Sequence, residues 1–289
     1  MEHMQSLVEI GNSRSKRREL FPPFAYERIA MKALFFDIDG TIWNRQNYIP
    51  ESTRKAFEIL RQNGHKTFIN TGRSMAYIQY DPLLSLGFDG IISGCGTMIE
   101  YNGNILKEEK IDLSLLEHSI LIARKYGFRP ILEGKDYLYM DESEFGQDPY
   151  GMKLKRELGD RLLTIEDEWG KWDVCKFACD MTGADKEGCF RALEPYYDFM
   201  VHNDYVVEIV PKGNHKGQGI VEVCNYLGIN VEDSYAFGDG ANDIGMFKAA
   251  GTAVAMGNAS EIAKEHADYV TTTLEEDGIW NACKYFGLL

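Results

Sequence analysis

No stretch of this chain approaches the roughly 20 consecutive apolar residues that a membrane-spanning helix requires, so no membrane span is expected. Positive charge is also scarce: 31 Lys and Arg stand against 45 Asp and Glu, a formal net charge of -14 at pH 7. Nucleic-acid backbones need a basic face, and anionic membranes attract basic clusters. Neither partner is expected. Small phosphorylated metabolites stay open, because a metal ion and a few local cations are enough to hold them. Between Met1 and Ala30 there is no sustained apolar segment, so no secretory signal is read there. The six cysteines, Cys95, Cys175, Cys179, Cys189, Cys224 and Cys283, lack the paired Cys/His spacing of a zinc site. Free thiols in a reducing cytoplasm are the expectation. Repeats and low-complexity tracts are missing as well. What is there, 289 residues with 44% hydrophobic content, suffices for one large core or two ordinary ones.

Residues 1–30 are polar and mixed, with Ser-Lys-Arg-Arg at 15–18 and Pro-Pro at 22–23, and read as a poorly ordered extension. From Met31 strand and helix signals alternate. Lys32–Phe36, Lys66–Asn70 and Gly90–Ser93 read as short strands, and Ser52–Asn63 as a helix that Gly64 ends. That alternation predicts a doubly wound, mainly parallel sheet with helices on both faces, an α/β fold. Its ligand site is expected at the carboxyl ends of the strands. The stretch 96–211 is richer in Tyr, Trp and charge, with strand candidates at 136–140, 172–181 and 205–210 and helix candidates at 113–126 and 184–196. It reads as an α+β unit inserted into the first domain, whose pattern resumes at 212–289. The expected core is thus 31–95 plus 212–289. In Val174–Cys179 the alternation puts Cys175, Phe177 and Cys179 on one buried apolar face.

Four elements carry chemistry. Asp37-Ile38-Asp39-Gly40-Thr41 follows an apolar strand. In extended backbone Asp37 and Asp39 point the same way, and adjacent carboxylates repel unless a cation or a shared proton relieves them. A divalent ion there would leave one oxygen of Asp37 free to attack, with the other carboxylate as general acid and base. The plainer reading is a polar turn capping a helix. Thr71-Gly72-Arg73 ends the second strand, where a hydroxyl and free N–H groups can hold a phosphoryl oxygen or simply open a turn. Lys216 stands at a helix start, where the dipole disfavours a cation, which suggests an anionic partner; Lys212 competes for the role, and His215 reads as structural. In Gly238-Asp239-Gly240-Ala241-Asn242-Asp243, Asp239 ends a strand while Asn242 and Asp243 open a helix, either as metal or phosphate contacts or as caps. Oxygen-only donors suit Mg²⁺.

These four elements, in this order, resemble the haloacid dehalogenase superfamily, and the long insert between the second and third resembles its Cof-type phosphatases. The resemblance covers Met31 to the C-terminus. It implies Asp37 as nucleophile forming an aspartyl-phosphate, and Asp39 as the acid that protonates the leaving group and then activates water. It implies Mg²⁺ held by Asp37, the backbone carbonyl of Asp39 and Asp239, supported by Asp243. Thr71, Gly72, Lys216 and Asn242 would bind the phosphoryl group, and Arg73 would lie near the substrate. One departure is visible: Cys95-Gly96-Thr97 stands where the family commonly has Asn-Gly-Ala. A redox-sensitive Cys95 is conceivable there, and a small buried thiol is the plainer reading. The function implied is Mg-dependent hydrolysis of a small phosphorylated metabolite, a sugar phosphate or similar monoester. A phosphotransferase or phosphomutase on the same fold is the alternative. A non-catalytic phosphometabolite sensor is a further alternative, which the intact Asp37, Asp39, Lys216 and Asp239 disfavour. Specificity is assigned to the insert, where Trp172, Tyr137 and Tyr139 face either the site or a local core.

Overall fold

The computed structural model describes residues 31–146 and 148–289. The extension expected over 1–30 lies outside the described residues. The strand β1 (Ala33–Phe36) is apolar throughout and buried on both faces, the signature of an interior parallel strand. After it come β2 (Lys66–Asn70), β3 (Gly90–Ser93), β4 (Met98–Tyr101) and β5 (Asn104–Glu108). Six further strands follow: β6 (Arg129–Glu133), β7 (Leu138–Tyr139), β8 (Leu162–Leu163), β9 (Lys176–Asp180), β10 (Tyr197–Val201) and β11 (Val206–Pro211). The last three are β12 (Ser234–Gly238), β13 (Thr252–Ala255) and β14 (Tyr269–Val270).

Two sheets result. One has eight strands in the order β14-β13-β12-β1-β2-β3-β4-β5, and the other has six in the order β10-β11-β9-β6-β7-β8. In the first, β1 pairs in parallel with β2 on one side and with β12 on the other. Strand order therefore reverses direction at β1, which opens a crevice at its carboxyl end. The two faces bury alternate residues of the same strands. Leu34 and Phe36 pack with Phe57, Leu60, Phe237 and Ile279, while Ala33 and Phe35 pack with Phe68, Ile220, Val223 and Phe247. The helices Glu51–Gln62 and Gly278–Tyr285 cover the first face, and Lys216–Leu227 and Ile244–Ala249 the second.

One expectation needs correcting. The insert was expected to begin at 96, yet β4 and β5 continue the first sheet, antiparallel to β3. A tight turn at Gly94-Cys95-Gly96, with Cys95 at φ 58°, folds the chain back beside β3 instead of sending it away. Asn102 and Gly103, both at positive φ, then form the β4–β5 hairpin turn, and Asn-Gly is a strong hairpin signal that was present in the sequence. The second sheet begins only after the helix Leu113–Lys125. On one face of that sheet Phe177 and Cys179 of β9 pack with Leu116, Ile120, Trp172 and Tyr139. Trp172 and Tyr139 thus belong to the second sheet's own core, and Tyr137 is exposed. Helices Pro149–Leu158 and Gly278–Tyr285 went unread in the sequence.

Phe36 lies 4.8 Å from Phe57 and 4.6 Å from Phe237, centroid to centroid, and is fully buried. Phe36→Ala should lower unfolding free energy by about 3–5 kcal/mol, read as a drop in the urea midpoint at constant slope. A loss below about 1 kcal/mol would contradict this packing.

Candidate active site

Three of the four sequence elements meet at the carboxyl end of β1. The backbone N–H of Asp37 donates to the carbonyl of Phe237 in β12 at 2.9 Å, which ties the first element to the fourth. Lys216, the first residue of its helix, is buried, and its Nζ donates to Asp37 Oδ1 and to Asp243 Oδ1, each at 2.6 Å. Burial works against charge on this lysine, but Asp243 and Asp37 outweigh it and hold the ammonium protonated. Lys212, the competing candidate, is exposed. His215 is the N-cap of the helix, its Nδ1 accepting from Gln218 N at 3.1 Å, which suits the structural reading. Asn70, not singled out in the sequence, donates from Nδ2 to the Lys216 carbonyl at 3.0 Å and so anchors the helix start to β2.

Asp243 is fully buried and nearly saturated. Its Oδ2 accepts the N–H groups of Asp239 and Gly240 at 2.9 Å each, while Oδ1 takes Lys216. It therefore shapes the loop and positions the lysine. Asp37, Asp239 and Asp243 each present a carboxylate oxygen within 4.8 Å of the others. Burial, opposed by Lys216 and reinforced by Asp243, Asp39 and Asp239, pushes the Asp37 carboxyl well above the ordinary range. Burial and the neighbouring Asp243 raise Asp239 to about 7. These are carboxylates that want a cation beyond the one lysine supplies, and an all-oxygen donor set suits a hard divalent ion. The residues fit Mg²⁺.

The turn after β1 requires its glycine. Gly40 has φ 79°, and a Cβ there would lie 2.1 Å from Asp239 Oδ2. Asp39 is set apart from the other three carboxylates. Arg73 grips it in a bidentate pair, Nε to Oδ2 at 2.8 Å and Nη2 to Oδ1 at 2.7 Å, and Trp43 Nε1 donates to Oδ1 at 3.0 Å. Burial would raise the Asp39 carboxyl, but Arg73 and Trp43 bring it below the ordinary value. The guanidinium of Arg73 also stacks on Tyr77, 4.4 Å from the ring centroid.

Thr71 is buried at the end of β2, where its N–H donates to Ile92 O at 2.9 Å and its Oγ1 accepts from Arg73 N at 3.2 Å. A cavity of about 570 Å³ opens onto Asp37, Asp39, Thr71, Gly72, Asp239 and Asn242, a size that suits a small metabolite. Its far wall comes from the second sheet, through His202 and Glu208. Neither was read from the sequence, although a lone charge inside the apolar run Val206-Val207-Glu208-Ile209-Val210 was a usable signal. Cys95 is buried, and its thiol donates to Glu208 Oε2 at 2.9 Å; burial keeps it protonated, as a small structural thiol would be.

A parallel α/β core with a carboxylate–lysine centre at its central strand end, closed over by a second sheet, defines a capped hydrolase. The model of the haloacid dehalogenase-like hydrolases matches residues 34–283. A putative phosphatase of Bacillus subtilis, YkrA, is 32% identical over 276 residues, which cover 89% of this chain and 98% of that protein. The 5-amino-6-(5-phospho-D-ribitylamino)uracil phosphatase YcsE of the same species is 26% identical over 266 residues, covering 91% of this chain and 98% of that one. The solved structure of a subclass IIB sugar phosphatase superposes with a TM-score of 0.76 at 30% identity, covering 90% of this chain and all of the other. The chain belongs to the haloacid dehalogenase-like hydrolases, among their Cof-type phosphatases.

Removing Asp243 would leave Lys216 with one carboxylate and two loop N–H groups without an acceptor. Asp243→Ala should cost about 3–5 kcal/mol of unfolding free energy in urea, and a cost under about 1 kcal/mol would refute its positioning role.

Proposed function

We propose that this phosphatase hydrolyses a small phosphorylated metabolite, a sugar phosphate or a similar monoester, through an aspartyl-phosphate on Asp37. The observation that carries the reading is the buried clasp of Lys216 on Asp37 and Asp243 at 2.6 Å each, facing a cavity lined by Thr71, Gly72, Asp239 and Asn242. A clasped carboxylate keeps one oxygen aimed at substrate while the ammonium stands ready for charge on the phosphoryl oxygens. The relatives support the substrate class, since one is named a sugar phosphatase and another acts on a phosphorylated ribityl compound.

In the first half-reaction a carboxylate oxygen of Asp37 forms a bond to phosphorus, and the ester P–O bond breaks. The leaving oxygen takes a proton from Asp39. In the second, Asp39 accepts a proton from water as its oxygen attacks phosphorus, and the P–O bond to Asp37 breaks to release phosphate. The resting Asp39, held as a carboxylate by Arg73 and Trp43, is in the form the second step needs. For the first step it must leave Arg73 and acquire a proton. Thr71 Oγ1, the Gly72 N–H and the Asn242 amide are the donors assigned to the phosphoryl oxygens. Asp37, Asp239 and the Asp39 carbonyl would hold Mg²⁺, with Asp243 behind them; the ion would keep the clustered carboxylates ionised and offset phosphoryl charge. The second sheet serves as the cap that excludes bulk water. Six free, buried thiols support a reducing compartment such as the cytoplasm. Among the described residues no helix is long and apolar enough to cross a membrane.

Asp37→Asn should abolish turnover of p-nitrophenyl phosphate with an unchanged circular-dichroism melt, and retained activity would overturn the nucleophile assignment. Chelation by EDTA should stop turnover and Mg²⁺ restore it. Mg²⁺ at about 100 times its Kd should raise the unfolding free energy by about 2.7 kcal/mol, an increment that Asp239→Asn should largely remove. Indifference of both activity and melting to the ion would rule out this metal site.

A further inference from the structure

The cap contributes more than a lid. Beyond the phosphoryl cavity lies a second space of about 260 Å³ that shares Asp39, Arg73, His202 and Glu208 with the first. Its other walls include Glu133 of β6, Tyr150 and Lys176 of β9. Register places Glu133 opposite Lys176 and Glu208 opposite Ala178, so the two carboxylates and the ammonium stand on one face of the second sheet, the face turned to the site. The opposite face of β9, Phe177 and Cys179, fills the core of that sheet.

Glu208 is the pivot of this group. Its Oε1 pairs with His202 Nε2 at 3.0 Å, and its Oε2 pairs with Lys176 Nζ at 3.4 Å and accepts from Cys95 Sγ at 2.9 Å. A Cβ on Gly72 would lie 2.8 Å from one of its oxygens and 2.9 Å from the other. The carboxylate therefore rests against the loop assigned to the phosphoryl group and lines the same cavity. His202 takes an acceptor site on Oε1 and Cys95 one on Oε2, while Lys176 pairs with Oε2 by charge, which leaves Oε1, on the His202 side, the less committed oxygen.

We propose that Glu208 is a specificity-determining residue that accepts a hydrogen bond from a hydroxyl of the leaving group, so that the cap selects a neutral, polyhydroxylated alcohol over an anionic one. The inference rests on the phosphatase reading above. Charge in the second cavity points the same way. Each lysine and arginine lining it is already paired: Arg73 with Asp39, Lys176 with Glu133 and Glu208, and Lys153 with Glu157. Among the described residues, a second anionic group would enter beside Glu133 and Glu208 and meet only Lys153, 3.9 Å from Glu157, as a loosely held cation on those walls, while a polyol meets acceptors and donors in alternation. Burial works against the charge of Glu208, but Lys176 and His202 outweigh it and bring its carboxyl below the ordinary range, which makes it an acceptor toward hydroxyls and repulsive toward anions.

The test measures kcat/KM with Mg²⁺ for ribitol 5-phosphate, phosphoglycolate and p-nitrophenyl phosphate, in the wild type and in Glu208→Gln. The wild type should favour the polyol phosphate over phosphoglycolate. In the variant the ratio of polyol to aryl turnover should fall about 10- to 100-fold, the scale of one hydrogen bond to a charged group, and the ratio of phosphoglycolate to aryl turnover should rise. Equal losses on all three substrates would reduce Glu208 to a structural strut and overturn the proposal, as would unchanged ratios. A wild-type preference for phosphoglycolate would also overturn it and turn attention to Arg45 in the first cavity. If Glu208→Gln melts early by circular dichroism, Glu208→Asp carries the polyol arm of the test, because it keeps the charge beside Lys176 while drawing the carboxylate back, and the ratio of polyol to aryl turnover should still fall. A wild type inert toward all three substrates would sink the phosphatase reading itself. A wild type active on the aryl phosphate whose ratios stay fixed in the variant would sink only the role of Glu208.

Discussion

Everything at the site depends on one buried ammonium. Lys216 Nζ sits between Asp37 and Asp243 with almost no exposure to solvent. A lone lysine in that position would be neutralised by burial, and the two carboxylates alone would be driven to protonate. Paired with them the lysine keeps its charge, and the cluster fixes three separate pieces of chain: the end of β1, the loop after β12 and the start of the helix Lys216–Leu227. Asn70 extends the tie to β2 through the Lys216 carbonyl. Side chains that meet across 179 residues of sequence are thereby held within hydrogen-bond distance.

The four acidic residues divide into different environments. Asp243 is spent on Lys216 and two loop N–H groups, and Asp37 shares the lysine while keeping access to the cavity. Among the described residues Asp239 has no ion-pair partner, and it carries the raised pKa that follows from burial beside Asp243. Asp39 is lowered by Arg73 and stabilised by Trp43. Such separation of similar groups by their surroundings gives one cleft carboxylates of different character, as the proposed roles of nucleophile, proton carrier and metal ligand require. Close backbone approach makes it possible, with Gly40 packed on Asp239 and Gly72 packed on Glu208.

Much of this was legible beforehand. The strands Lys66–Asn70 and Gly90–Ser93 coincide with the sequence reading, and β1 differs from it by one residue at an end, because short apolar runs bounded by turn residues announce themselves locally. The edge hairpin β4–β5 shares the composition of the insert that follows it, even though Asn102-Gly103 marks its turn. The cap carboxylates escaped for a different reason. Glu133, Lys176 and Glu208 come from three strands far apart in sequence, and only the register of the second sheet puts them on one face.

The sequence by itself determined the family, the α/β fold and the carboxylates from which the site is built, because each motif is a strand end followed by a tight turn and its geometry is local. The tertiary structure alone decided who partners whom. It chose Lys216 over Lys212, gave Arg73 to Asp39, turned Trp172 and Tyr139 into the second sheet's core, and laid Glu208 against Gly72. Those choices depend on register and on which face of a sheet is buried. Both are settled by the packing of distant segments, which no local pattern of residues encodes.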